Sequence, residues 1–301
     1  MKSVVTGGCG FIGSHIVDAL HDLGHTVEVI DDLSAPENEK FYFHNNDKKV
    51  TYHQLDISKD DCENIFENVD FVFHLAARSR IQPTIGSPGE CFEVNVVGTQ
   101  RVLEWSRMHS AKRLIYSGTS SLYGHQNVIP FQPNMPTDCL NPYSMSKWMG
   151  EQICKLYSQM YTMPSIVLRY FNVYGPREPV KGHYAPVIGL FKRQVKEEKP
   201  MTIVGDGNQK RDFTYIDDVV QSNICAMNLP ENFSKFEIYN VGTGKNYSIN
   251  EVANLVSSDA ERINISSRPA EVRETLADIQ KTSNDLGWSP KFSLEEKILS
   301  Y

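Results

Sequence analysis

The chain has 301 residues and a net charge of −7, enough length for one large or two small domains and the wrong balance for a generic nucleic-acid or anionic-membrane binder. Its six cysteines (Cys9, Cys62, Cys91, Cys139, Cys154, Cys225) are scattered without a Cys-x-x-Cys pair, and its nine histidines lack ligand spacing, which argues against a disulfide frame or a metal site. No apolar run approaches membrane length and the first residues run straight into a strand, so a soluble, cytoplasmic, metal-free protein is expected.

Ser3-Val4-Val5 is a short apolar run, followed by glycines at 7, 10 and 13 and then by Ile12, Ile16, Val17 and Leu20 at helical spacing. This reads as strand, glycine loop and helix. Glycines permit the tight turn and close backbone approach, and a helix N-terminus receives a pyrophosphate. A glycine-rich turn without a ligand is the plainer account, but a second strand, Val27–Ile30, ends at Asp31, 18 residues past Gly13. A carboxylate there accepts from adenosine ribose hydroxyls and repels a 2′-phosphate. With no arginine at 32–34, the pattern favours NAD over NADP.

Strands over 50–55 and 70–75 run into Asp56-Ile57 and Ala76-Ala77. A helix around 88–109 precedes a strand at 113–116, then a helix bearing Tyr143 and Lys147, then a strand over 165–170. This alternation predicts an α/β fold, a Rossmann-type doubly wound parallel sheet. Residues 31–32, 56–57, 75–81, 117–121 and 171–175 fall at carboxyl ends of strands and should converge on one crevice. From about 176 the pattern loosens. The expected division is a dinucleotide-binding domain over 1–175, rejoined by about 212–245, and a smaller α/β C-terminal substrate lobe over 176–301.

Tyr143 and Lys147 stand four apart and share one helix face. An ammonium beside a phenol favours the phenolate, drawing a group that normally titrates near ~10 towards a working base.

The ordered series Gly7-x-x-Gly10-x-x-Gly13, Leu75-Ala76-Ala77, Asn95, Ser117-Gly118-Thr119-Ser120-Ser121-Leu122-Tyr123-Gly124, Tyr143-x-x-x-Lys147 and Arg169-Tyr170-Phe171-Asn172 continues through Gly205-Asp206-Gly207, Arg211-Asp212-Phe213, Tyr239-Asn240-Val241-Gly242 and Leu286-Gly287-Trp288. It resembles the extended short-chain dehydrogenase/reductase family, in the nucleotide-sugar epimerase/dehydratase group, over essentially the whole chain. The resemblance implies bound NAD, a UDP-sugar substrate and a homodimer. It places NAD contacts at Gly7, Gly10, Phe11, Ile12, Gly13, Asp31, Asp32, Asp56, Ile57, Leu75, Ala76, Ala77, Asn95, Ser117, Tyr143, Lys147 and Tyr170. Substrate contacts fall at Arg80, Thr119, Tyr143, Asn172, Tyr184, Ala185, Thr202, Val204, Arg211, Arg273 and Thr275.

By the same resemblance Tyr143 removes the sugar 4-hydroxyl proton, Lys147 holds the nicotinamide ribose and, with the cationic ring, lowers the phenol, and Thr119 hydrogen-bonds the reacting oxygen. Gly118 departs from the serine usual in the family. Related dehydratases and decarboxylases carry acids after the Thr119 position, where this chain has Ser120 and Ser121; this favours 4-epimerisation. Thr275 stands where galactose-restricted epimerases carry tyrosine, leaving room for a 2-acetamido group, whereas Arg78 or Arg80 could meet a hexuronate. A UDP-hexuronate epimerase, a nucleotide-sugar dehydrogenase or reductase, and a non-catalytic dinucleotide sensor are the alternative readings.

Overall fold

The computed structural model describes residues 1–35, 40–125, 128–181 and 185–301. Six strands come first: β1 (Lys2–Thr6), β2 (Thr26–Asp31), β3 (Val50–Gln54), β4 (Phe71–His74), β5 (Arg113–Thr119) and β6 (Ser165–Tyr170). Shorter strands follow: β7 (Val173–Tyr174), β8 (Met201–Val204), β9 (Lys210–Asp212) and β10 (Thr214–Tyr215). The last three are β11 (Phe236–Val241), β12 (Asn246–Ser248) and β13 (Arg262–Ile265). β11 joins the first six in one parallel sheet ordered β11-β6-β5-β4-β1-β2-β3. The order reverses between β1 and β4, and a doubly wound sheet opens its ligand crevice at such a switch, beyond the carboxyl ends.

Side chains alternate along each strand and so sort into two cores. Val5, Val29, Phe73, Ile115 and Ile166 face Ile16 and Leu20 of α1 (Phe11–Asp22). Val4, Ile30, Val72, Leu114 and Val167 face the opposite way, towards Val102 and Leu103. Burial on both faces explains why these strands read as nearly continuous apolar runs. The doubly wound α/β architecture expected from the sequence is the observed one. Past β6, β8 pairs with β13, β9 with β12 and β7 with β10 in three two-stranded sheets.

The helix expected over 88–109 is present and carries a π turn within it. After a short α2 (Ile81–Gly86), α3 (Pro88–Phe92) and α4 (Gly98–Met108) are separated by a π turn at Glu93–Val97. The wider turn leaves Asn95 facing inward and 1% exposed. Its amide oxygen accepts from the Arg78 N–H at 2.7 Å, and its nitrogen donates to the Arg78 carbonyl at 3.1 Å and Ser146 Oγ at 2.8 Å. Thr99 donates to the Asn95 carbonyl at 2.6 Å. Periodicity could not show this, because a single π turn shifts the register without changing the apolar character.

α5 (Pro142–Tyr161) begins with a capping box: the Asn141 side chain accepts from the Ser144 N–H at 2.9 Å, and Ser144 Oγ accepts from the Asn141 N–H at 3.3 Å. Pro142 at the first helical position needs no N–H there. These local signals fix where the helix starts, and hence the direction in which Tyr143 leaves it.

Candidate active site

One cavity of about 590 Å³ lies across the carboxyl ends of the sheet, within the range of small-molecule sites. Its floor is the glycine loop. The Gly7 N–H donates to Ile30 O at 2.7 Å, and Gly10 caps α1 with no side-chain hydrogen bond. The first N–H groups of α1 therefore keep their donor capacity for an anion. A Cβ on Gly13 would lie 2.2 Å from Gly7 O, and one on Gly7, whose φ is +72°, would lie 2.8 Å from Ala76 N. The wall beside the loop is fixed from below. His74 joins Thr6 Oγ1 at 2.7 Å to Thr99 Oγ1 at 2.9 Å, and Thr6 Oγ1 accepts from the N–H groups of Leu75 and Ala76 at 3.2 Å each. Burial holds His74 near a pKa of about 3, so it stays neutral.

At the end of β2, Asp31 accepts from the N–H groups of Cys9 (3.0 Å) and Leu33 (2.9 Å). Burial raises its carboxyl, and these two bonds act in the opposite direction. Asp32, Asp56, Ile57 and Ala77 continue the same wall, as do Phe11 and Ile12 at the start of α1. An N-terminal nest, space that any Cβ would fill and a carboxylate at the end of β2 together fit a dinucleotide. Asn95 does not line the cavity. It sits behind the wall and holds Arg78 in place.

At the other end stand Thr119, Tyr143 and Lys147. Thr119 Oγ1 accepts from the Ser121 N–H at 3.2 Å, capping the turn after β5, and also hydrogen-bonds the Tyr143 phenol, which favours the phenolate. Burial is the larger effect and raises Tyr143. Among the protein's own groups burial outweighs the Thr119 contribution, and the expected lowering by Lys147 together with the cationic ring concerns the site with its cofactor bound. Lys147 is 3% exposed, its Nζ lies 4.1 Å from the Tyr116 ring centre, and burial pushes its ammonium down to about 8. Glu151, one turn further along α5, opposes that shift. The Ser117 hydroxyl donates to the Tyr170 hydroxyl at 3.2 Å, and Tyr170 shares two bonds with Asn223, so both side chains are turned inward at the cavity wall.

Beneath the pair lies a buried ion pair that the sequence reading missed. Arg169 donates to Glu151 through Nε (3.0 Å) and a terminal nitrogen (2.7 Å), and its other terminal nitrogen reaches the Tyr123 hydroxyl (2.8 Å) and Pro133 O (3.0 Å). Gly118 follows from it: a Cβ there would lie 3.0 Å from Glu151 Oε1 and 3.0 Å from Val167 Cγ1. The i, i+4, i+8 spacing of Tyr143, Lys147 and Glu151 was the available signal.

On the far wall are Arg80, Ala185, Thr202, Val204, Arg211 and Thr275. Asn172, also on the cavity, donates to Asp212 O at 2.8 Å, and Thr275 Oγ1 accepts from the Asp212 N–H at 3.2 Å. Tyr184 lies outside the described residues. Arg273 is displaced from its expected place: its side chain is 64% exposed, forms a two-pronged pair with Asp206 at 2.9 Å and does not line the cavity. Arg268, five residues earlier, does line it, and it meets Glu271 at 3.8 Å while Arg211 meets the same carboxylate at 3.9 Å. Both arginines sit in one segment with no spacing to distinguish them, so only the fold decides.

Lys147 should titrate near pH 8 in an NMR titration of ¹³C-labelled lysine rather than at its ordinary 10.5. Glu151→Gln removes the charge that holds the proton on, so the midpoint should fall further. A midpoint at the ordinary value, or one unmoved by Glu151→Gln, would refute this electrostatic picture.

Residues 3–242 match the family model of the NAD dependent epimerase/dehydratase family. The chain is 33% identical to the UDP-glucose 4-epimerase of Thermotoga maritima, whose crystal structure with UDP-glucose superposes with a TM-score of 0.90 over 99% of this chain and 96% of that one. It is 30% identical to the UDP-N-acetylglucosamine 4-epimerase of Methanobrevibacter ruminantium in complex with UDP-N-acetylmuramic acid (TM-score 0.92, 99% and 95% covered). The UDP-glucuronic acid 4-epimerase of Bacillus cereus, in complex with UDP-glucuronic acid and NAD, is 31% identical (TM-score 0.92, 99% and 96%). With the glycine nest, the carboxylate at the end of β2 and this match across most of its length, the chain belongs to the NAD dependent epimerase/dehydratase family.

Proposed function

We propose that the protein is a UDP-sugar 4-epimerase. The observation that carries this reading is the convergence of Thr119, Tyr143 and Lys147 on one cavity, with Ser120 and Ser121 in place of acids in the turn that follows. Tyr143 takes the proton from the sugar 4-hydroxyl, Thr119 holds that oxygen and Lys147 keeps a positive charge beside the phenol. Bound NAD supplies a reversible hydride acceptor and, in its oxidised form, a second positive charge. The turn that follows Thr119 carries no acid to protonate a leaving hydroxyl of a 4-keto sugar, which favours epimerisation over elimination. Residues 1–175 with about 212–245 serve as the NAD-binding unit, and 176–301 mainly hold the nucleotide and sugar. Guanidinium groups at Arg211 and Arg268 suit a diphosphate.

Incubation with a panel of UDP-hexoses, UDP-N-acetylhexosamines and UDP-hexuronates, without added cofactor and with products resolved by NMR, tests the reading. Epimers should form with no net NADH absorbance; net NADH, or no turnover of any sugar, would sink it. Tyr143→Phe should lower the rate by at least about 10²-fold while the dinucleotide stays bound.

For the sugar, glucose/galactose or their N-acetylated forms are favoured by Thr275, a small side chain buried against Asn172 and Asp212. Thr275→Tyr should abolish turnover of UDP-N-acetylglucosamine and spare UDP-glucose, because a phenol and an acetamido group cannot share the space. Equal loss on both sugars would remove Thr275 from this role. Arg80 on the cavity wall favours a hexuronate as the second reading.

A homodimer is the expected assembly. α4 and α5 lie side by side, with Gln100 donating to the Tyr157 hydroxyl at 2.9 Å, and they expose Met108, Leu156, Met160 and Tyr161. A second copy of the chain covers such a stripe better than water does. Light scattering should give a dimer that the Leu156→Asp/Met160→Asp variant converts to monomer; a wild-type monomer would overturn the assignment.

A further inference from the structure

The sequence has no arginine just after Asp31, yet the fold delivers one there. Arg78 comes from the loop after β4, and its guanidinium meets the segment after β2. One terminal nitrogen lies 3.3 Å from Asp32 Oδ2, the other hydrogen-bonds Ser34 Oγ, and Nε donates to Glu90 Oε1 at 2.9 Å. Its backbone is clamped on both sides by the buried Asn95 amide. Asp31, Asp32, Ser34 and Arg78 all line the cavity. Lys40 also acts on Asp31 through its charge.

In a site of this type the carboxylate at the end of the second strand receives the adenosine ribose, and a nearby arginine is what accommodates a 2′-phosphate. Here that arginine is present but occupied: two carboxylates take its donors and neutralise it, while Asp31 and Asp32 oppose a dianion. We infer that Arg78, Asp32, Ser34 and Glu90 form a latent 2′-phosphate site, and that preference for NAD over NADP rests on Asp32 and Glu90 holding Arg78 rather than on the lack of a cation. Arg78 is then a specificity-determining residue of the dinucleotide pocket. The inference depends on the family's dinucleotide site and not on which sugar is turned over.

The test is a partition experiment on the full chain. Bound dinucleotide is exchanged against equimolar NAD and NADP, then released and quantified by chromatography. Asp32→Asn/Glu90→Gln keeps the side-chain shapes and frees the guanidinium, so the NADP/NAD ratio should rise by about 10-fold or more, the scale of one hydrogen bond to a charged group. Adding Arg78→Ala should return the ratio to near the wild-type value. Glu90→Gln alone alters an exposed carboxylate, so its fold is safe, and it should shift the ratio in the same direction by less. An unchanged ratio in both carboxylate variants, or a gain that survives Arg78→Ala, would overturn the inference, the latter because simple relief of repulsion would then suffice.

Discussion

The arrangement of the catalytic end depends on one guanidinium buried under the sheet. Arg169 on β6 gives two nitrogens to Glu151 on α5, and the third reaches Tyr123, whose hydroxyl in turn donates to Asn240 on β11 at 2.6 Å. Glu151 is fully buried, and a buried charge is tolerable only when paired and hydrogen-bonded. Removing either partner would strand the other at a cost of about 3–5 kcal/mol. The pair therefore locks α5 against β5 and β6, and with it the positions of Tyr143 and Lys147. It also packs tightly on Gly118, where a Cβ would lie 3.0 Å from the carboxylate.

The same pair shapes the electrostatics above it. Burial drives Lys147 towards its neutral form, and the nearest buried carboxylate resists. Burial likewise drives Tyr143 away from the phenolate. The protein's own groups thus leave the Tyr143 phenol protonated, and a cation bound beside it would act the other way. Such coupling is a physical reason for chemistry to wait on a loaded site. At the opposite end the problem is reversed. Backbone N–H groups of α1 offer positive potential to a pyrophosphate, while Asp31 and Asp32 set a negative boundary just beyond it.

The strands, the glycine loop, the acid at the end of β2 and the Tyr143/Lys147 spacing were legible because each is a local pattern. A short continuous apolar run, three glycines before an apolar helix and a four-residue interval carry their geometry with them. What was not legible has a different character. The helix over 88–109 is there, but the π turn within it places Asn95 against Arg78 and Ser146, residues 17 and 51 positions away. Arg273 was expected at the substrate, although the chain turns it outward to Asp206 and leaves Arg268, which the sequence did not single out, on the cavity. Burial, which no spacing reports, is the larger effect on Tyr143 among the protein's own groups.

By itself, the sequence determined the order of strands and helices, the place of the glycine turn, and the helix face shared by Tyr143 and Lys147, because these follow from period, glycine placement and capping within a few residues. Tertiary structure alone decided which arginine faces the cavity, what lies under Lys147, and that a cation from the loop after β4 stands beside Asp32, just past the end of β2. Those facts depend on which distant segments a folded sheet brings within ~4 Å of one another, the range at which charges and hydrogen bonds act strongly. No local pattern along the chain encodes that proximity.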